Sequence, residues 1–380
     1  MNYRQLGNTG LSVSEIGLGG EWLERHHAQE VKAVVDACRN KGINIIDCFM
    51  SEPNVRTNIG NAIKHDREKW IIQGHIGSAW RDGQYVRTRD LSECKAAFAD
   101  LLARFQTDYM DLGMIHFVDR VDDWQVVVNE GLMDYAKELK ASGAVRHIGL
   151  STHNPTIARM AVEQGDVEVI LFSLNPAYDL LPPTEDIEEY FVDEYDASLS
   201  GIDPERAELY RLCEQKGVAL TVMKGYAGGR LLDKGRSPFG VALTPVQCLH
   251  YALTRPAVAS VLIGFDNPEQ IPAAMAYETA SDAEKDYATV LANAPKHAYK
   301  GQCTYCGHCK PCPMDIDIAM VNKLYDLATM QEDVPASVRE HYADLSAHAD
   351  ACIACGACED RCPFEVPVVE RMQKTAELFG

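Results

Sequence analysis

The chain has 380 residues and a formal net charge of −20. The length predicts two or three domains, and acidic residues spread along the chain argue against nucleic acid or an anionic membrane as a partner. No apolar run approaches the roughly 18 residues of a membrane span, and the start, Met1-Asn2-Tyr3-Arg4-Gln5-Leu6, has no apolar signal core, so a cytoplasmic location is expected.

In chain order, short Ile, Val and Leu-rich runs alternate with amphipathic stretches. Strands are expected at 14–20, 43–47, 70–74, 110–116, 147–151, 167–174, 218–224 and 260–264. Most lack polar alternation, as strands buried on both faces do. Helices are expected at 28–41, 54–64, 88–105, 129–141, 155–164, 203–216, 245–254 and 268–277. Pro155 and Pro204 mark helix starts, and Gly143 and Gly217 mark ends. This alternation predicts an α/β chain with a (β/α)₈ TIM barrel. A doubly wound open sheet is the runner-up, disfavoured because no Gly-x-Gly-x-x-Gly turn follows the first strand. The acidic stretch 180–201, with Pro182-Pro183, reads as a long loop on the catalytic side. The organisation expected is a barrel over 1–282, a connector over 283–300 and a small domain over 301–380. No internal repeat is evident.

The 13 cysteines divide unevenly. Five are scattered. The rest form the runs Cys303-x-x-Cys306-x-x-Cys309-x-x-Cys312-Pro313 and Cys352-x-x-Cys355-x-x-Cys358-x-x-x-Cys362-Pro363. A reducing compartment disfavours disulfides, so the clustering points to metal. The second run has the full bacterial ferredoxin spacing, in which three thiolates wrap one cubane and the fourth crosses to the other. That logic assigns Cys303, Cys306, Cys309 and Cys362 to one [4Fe–4S] cluster and Cys352, Cys355, Cys358 and Cys312 to a second. Paired zinc sites and two independent clusters are the alternatives. The intervening segment, with helices expected at 318–331 and 336–349, resembles the α-helical ferredoxin type.

Asp47, His75 and His116 fall at or just past the ends of the second, third and fourth strands, where such barrels carry their chemistry. Pairing with Asp47 would raise the pKa of His75 and suit it to act as an acid near neutral pH.

The stretches Ile45-Ile46-Asp47, Thr107–His116, Ile148-Gly149-Leu150-Ser151, Met223–Gly229, Ile263-Gly264 and Asn267–Gln270 resemble the aldo-keto reductases. With the cysteine runs, the resemblance is to the branch that joins this barrel to a ferredoxin-like domain. It implies an oxidoreductase with an Asp, Tyr, Lys and His tetrad. Asp47 and His116 match. His75 stands at the Lys, and Glu52 at the Tyr, with Tyr85 in the next loop as another proton source. For the nicotinamide, Ser151 is kept, while Thr152, Leu171 and Leu174 replace the polar and stacking residues. Lys224, Gly228 and Arg230 could still cradle phosphates, whereas Asp266 disfavours NADP. The expected activity is oxidoreduction of a carbonyl or hydroxyl group on a small molecule. Asp47 and His75 would be the acid/base pair and His116 would polarise the substrate oxygen. Two [4Fe–4S] clusters would pass electrons to or from a ferredoxin or flavodoxin partner. A redox-neutral dehydratase and an electron-transfer module with an inert barrel are the rivals.

Overall fold

A computed structural model describes every residue except 193, 298 and 330–332. Eight parallel strands close into a barrel: β1 (Ile16–Gly19), β2 (Ile45–Cys48), β3 (Ile71–Ile76), β4 (Met110–Ile115), β5 (Val145–Thr152), β6 (Val169–Ser173), β7 (Ala219–Met223) and β8 (Val258–Ile263). β8 pairs with β1 to complete the ring. A hairpin of Tyr3–Gln5 and Ser12–Ser14 precedes the barrel.

Alternation along each strand divides the core. Ile45, Ile71, Leu112, Met114, Val169, Leu171 and Ala219 fill the barrel interior. Ile46, Ile72, Ile170, Phe172, Leu220 and Val222 face the helices outside. These strands bury both faces, which is why they read as continuous apolar runs. β3 extends two residues beyond its expected end, so His75 lies within it. The helix expected at 129–141 is instead two, Val121–Asn129 and Leu132–Ser142. They are divided at Gly131, whose φ of 92° a side chain would strain.

A second excursion follows β3. Residues Ser78–Arg81 and Gln84–Arg87 form an antiparallel hairpin. Its turn is Asp82-Gly83, both with positive φ, the dipeptide that favours a two-residue hairpin turn.

Among its described residues the segment 180–201 is irregular apart from the end of the 3₁₀ turn Tyr178–Leu180 and the 3₁₀ turn Ile187–Tyr190; residue 193 lies outside the described residues. The connector holds the short helices Asp282–Lys285 and Tyr287–Ala292. Of the helix expected at 318–331, Ile318–Ala328 is observed, and 330–331 lie outside the described residues. The helix expected at 336–349 ends at Ala343.

The cysteine region corrects the reading that no internal repeat exists. Tyr305 and Gly307 in the first run, and Ala354 and Gly356 in the second, share positive φ at equivalent places. Asp315 and Glu365 repeat the pattern after each Cys-Pro. Each half then enters a helix, Ile318–Ala328 or Val368–Phe379. The two halves are therefore one loop–helix unit used twice, with one more residue before the last Cys of the second run. No helix among the described residues is long and apolar enough to cross a membrane.

Candidate active site and cysteine domain

Strand register puts the chemistry in the barrel interior. Asp47 is paired with Gln73 across β2 and β3, and His75 with Met114 across β3 and β4. Asp47, Gln73 and His75 thus project inward. His116 follows β4 directly, and its backbone N–H donates to the Ile76 carbonyl. Arg89 anchors the same corner by donating to the carbonyls of His116 and Phe117 at 3.0 Å each.

The side chains form one hydrogen-bonded row. Asp47 Oδ1 lies 2.9 Å from Gln73 Nε2 and 3.0 Å from His75 Nε2. His75 Nδ1 lies 2.7 Å from His116 Nδ1, and His116 Nε2 lies 2.6 Å from the Tyr85 hydroxyl. Phe49 stacks on His116 at 5.7 Å, with the planes 10° apart. Burial, followed by the neighbouring His75, holds His116 well below the ordinary imidazole value. Burial also raises the Tyr85 phenol, so it stays protonated near neutrality.

These contacts redirect two expectations. His116 has both ring nitrogens engaged, one by His75 and one by Tyr85, and the outermost donor of the row is Tyr85, 39% exposed at the rim. Glu52, at the family's Tyr position, caps the helix Pro53–Ile63 by accepting from Val55 N–H at 2.7 Å. The hairpin delivers Tyr85 instead. Its signal in the sequence was Asp82-Gly83 between β-prone residues.

The residues expected to hold nicotinamide dinucleotide fit it poorly. Ser151 is buried near the end of β5. Arg230, expected on a phosphate, turns its two amino groups to the carbonyls of Tyr190 and Val192, the latter at 2.6 Å. It ties down the 180–201 segment. Lys224 faces Glu21 at 3.4 Å. Asp266 is paired with His26 at 2.8 Å. Leu171 is packed in the barrel interior and Leu174 in the outer shell, so neither offers a polar contact. Only Gly228 and Gly229, with φ of 63° and 85° and open space at their Cβ positions, keep the geometry for close approach of a ligand.

Four of the eight cysteines line one cavity. Cys312 lines this small cavity with Cys352, Cys355 and Cys358, beside Ile316 and Met372. Cys362 is held against the other loop from both sides. Arg361 donates to the carbonyl of Cys309 at 2.7 Å, and Gly301 N–H donates to Phe364 O at 2.6 Å. A four-thiolate donor set around an enclosed space suits a cubane cluster.

The family model "Aldo/keto reductase family" matches residues 15–242, and "4Fe-4S dicluster domain" matches 302–366. The uncharacterized oxidoreductase YqkF of Bacillus subtilis is 26% identical over 289 residues, covering 71% of this chain and 89% of that protein. Pyridoxal 4-dehydrogenase of Microbacterium luteolum is 23% identical over 330 residues, covering 70% and 90%. The solved aldo-keto reductase AKR11C1 of Bacillus halodurans, in its holo form, aligns with a TM-score of 0.59 at 22% identity. That alignment covers 75% of this chain and 94% of that one. The chain belongs to the aldo/keto reductase family, as an oxidoreductase whose barrel is joined to a 4Fe-4S dicluster domain.

Proposed function

We propose that this protein oxidises or reduces a carbonyl or hydroxyl group of a small molecule at the barrel mouth, with protons moved by the row Asp47–His75–His116–Tyr85. We propose further that Cys303, Cys306, Cys309 and Cys362 hold one [4Fe–4S] cluster, and Cys312, Cys352, Cys355 and Cys358 another. Such clusters supply electrons one at a time. The observation that carries the reading is the unbroken hydrogen-bonded row ending at an exposed phenol.

The row has one consistent set of donors when both imidazoles are neutral. Ionised Asp47 accepts from His75 Nε2–H. That leaves His75 Nδ1 bare, so it accepts from His116 Nδ1–H, and His116 Nε2 accepts from Tyr85 O–H. A proton taken up at His75 reverses the order. His75 Nδ1–H then donates to His116, His116 Nε2–H donates to the Tyr85 oxygen, and the phenol hydrogen is free to face a substrate oxygen. When Tyr85 gives that proton away, each neighbour passes one along and the neutral set is restored. One proton enters at His75 and one appears on the substrate.

Weak use of nicotinamide accords with Arg230, Lys224 and Asp266 being committed to other groups. A dehydration would use the same proton row without electrons, and the test separates the two. The clusters are pre-reduced anaerobically and mixed with a panel of small aldehydes and ketones. The expected result is carbonyl-dependent recovery of the cluster absorption as the clusters are oxidised, with NADPH a poor substitute as reductant. Turnover indifferent to the state of the clusters would favour the dehydratase. A ferredoxin or flavodoxin as the external electron partner, and a cytoplasmic location, complete the proposal.

A further inference from the structure

Between the barrel and the cysteine domain lies a cavity of about 260 Å³. Arg211 of the helix Pro204–Lys216, Arg255 of the turn before β8 and Arg371 of the last helix all line it. Pro204 and Gly301, also in its lining, are exposed, so it opens to solvent. Among the described residues Cys303 is the only cysteine that borders it. With Cys306, Cys309 and Cys362 turned elsewhere, the cavity is a space apart from the four thiolates of the first group.

The charges in this lining do not balance. Arg371 is matched by Asp326 at 2.5 Å, and that carboxylate also accepts from the Tyr305 hydroxyl at 2.6 Å. Two acids on the helix of Arg211 are taken, Glu208 by Arg159 at 3.6 Å and Glu214 by Lys323 at 2.7 Å. Arg211 Nε, and both Nε and Nη1 of Arg255, are buried without a hydrogen-bond partner among the described residues. Arg255 is only 3% exposed. Its third nitrogen, Nη2, donates to the Thr304 carbonyl and sits 3.1 Å from the Tyr287 hydroxyl, and its plane lies 4.6 Å from the Tyr251 ring. These neutral groups hold the guanidinium in place and leave its charge unanswered. Arg255 also borders a second cavity, but the cations there are matched, Arg4 by Glu15 and Lys323 by Glu214, each at 2.7 Å.

Arg211 and Arg255 therefore leave two positive charges on one cavity, in a chain whose net charge is −20. Desolvating a guanidinium without a counter-charge is costly, and a bound anion offsets that cost. Two charges suit a dianion, and the planar N–H forks of arginine match the oxygens of a phosphate. A phosphate monoester carries about −1.5 to −2 near neutrality, where a carboxylate carries a single charge. We propose that this cavity binds the phosphate group of a small molecule between Arg211 and Arg255, at the seam of barrel and cysteine domain. The site shares no residue with the row from Asp47 to Tyr85, and it rests on neither the proton path nor the route of electrons.

Calorimetry on anaerobically prepared holoprotein tests the proposal, with inorganic phosphate, glycerol 3-phosphate and acetate as titrants in a low-salt buffer free of phosphate. Saturable binding of one phosphate group per chain is expected, with acetate much weaker and the melting temperature rising with phosphate concentration. Saturation by inorganic phosphate or by glycerol 3-phosphate supports the site, and the tighter of the two names the source. Arg211→Gln is expected to weaken that binding at least about tenfold. Ala207→Glu, which puts a carboxylate into the lining, is expected to abolish it. Iron content and absorption spectrum are expected to stay native in both variants; if one of them loses iron, the other and the native titration decide. Native protein without saturable phosphate binding would overturn the proposal. So would an affinity unchanged in the variants, or acetate bound as tightly as phosphate.

Discussion

At the scale of the residue, function turns on which atom faces the substrate. His116 is neutral because burial holds its pKa down, and both its nitrogens are occupied. In the proposed reaction its role is to pass a proton, and the contact with substrate falls to Tyr85. Removing the phenol oxygen in Tyr85→Phe keeps the ring against Phe49 and deletes the last link. Loss of a positioned acid costs roughly 10²–10⁴-fold in rate, so kcat is expected to fall by that order while thermal stability changes little. His75→Ala and Asp47→Ala are each expected to abolish most activity, with the double variant little worse than either, because a row cut once no longer conducts. Additive losses in steady-state kinetics would show that the two do not act together. Asp47, His75 and His116 were legible in the sequence because strand ends are where such barrels place chemistry. Arg230 was misjudged for the opposite reason. The carbonyls of Tyr190 and Val192 that occupy it come from a segment forty residues away in the chain, and no local pattern announces that contact.

At the scale of the element, two short pieces decide the sites. The hairpin after β3 positions Tyr85, and its turn needs Gly83 at a φ of 78°. A β-branched residue there costs about 1–2 kcal/mol in the left-handed region, enough to displace a hairpin of two four-residue strands. Gly83→Val is therefore expected to lose activity nearly as Tyr85→Phe does, with the circular dichroism of the barrel unchanged; full activity would mean that the phenol is placed by something other than the turn. In the cysteine domain, Cys312 belongs to the first run by sequence and to the second cavity by position. Cys312→Ala is expected to reduce about eight irons per chain to about four and to leave the same residual spectrum as Cys355→Ala. A residual spectrum matching Cys306→Ala instead would assign Cys312 to its own run. The barrel strands were legible because burial on both faces writes a plain apolar run. The repeat was not, because the halves share little beyond Cys, Gly, Pro and a backbone conformation, and the extra residue before Cys362 shifts their register.

At the scale of the whole molecule, the barrel and the cysteine domain are joined through buried polar groups. Tyr251 donates to Asp179 at 2.6 Å and meets Tyr299 of the connector at 3.3 Å, while Tyr287 reaches the Thr304 carbonyl at 3.1 Å. The helix Pro245–Leu253 carries this junction, and it also carries His250, which packs against Tyr277 and Tyr287. Burial, reinforced by Lys285, Arg255 and Arg4, pushes His250 down to about 4. In the unfolded chain the same imidazole titrates near 6.5. Above that pH both states are neutral and the residue is silent. Between about 6.5 and 4 the unfolded chain binds a proton that the folded one refuses, so stability falls as pH falls, and the loss is complete below the folded value. The full effect is on the order of 3 kcal/mol for one such histidine, and His116, shifted the same way, adds to it. Carboxylates with lowered values, such as Asp119 and Asp286, titrate below this window, whereas Asp179, raised by burial, works against the histidines. The melting temperature of anaerobic holoprotein is therefore expected to drop between pH 7 and pH 5, and His250→Gln is expected to flatten that slope. An identical slope in the variant would mean that His250 takes up its proton in the folded state, and that the junction between barrel and cysteine domain admits water.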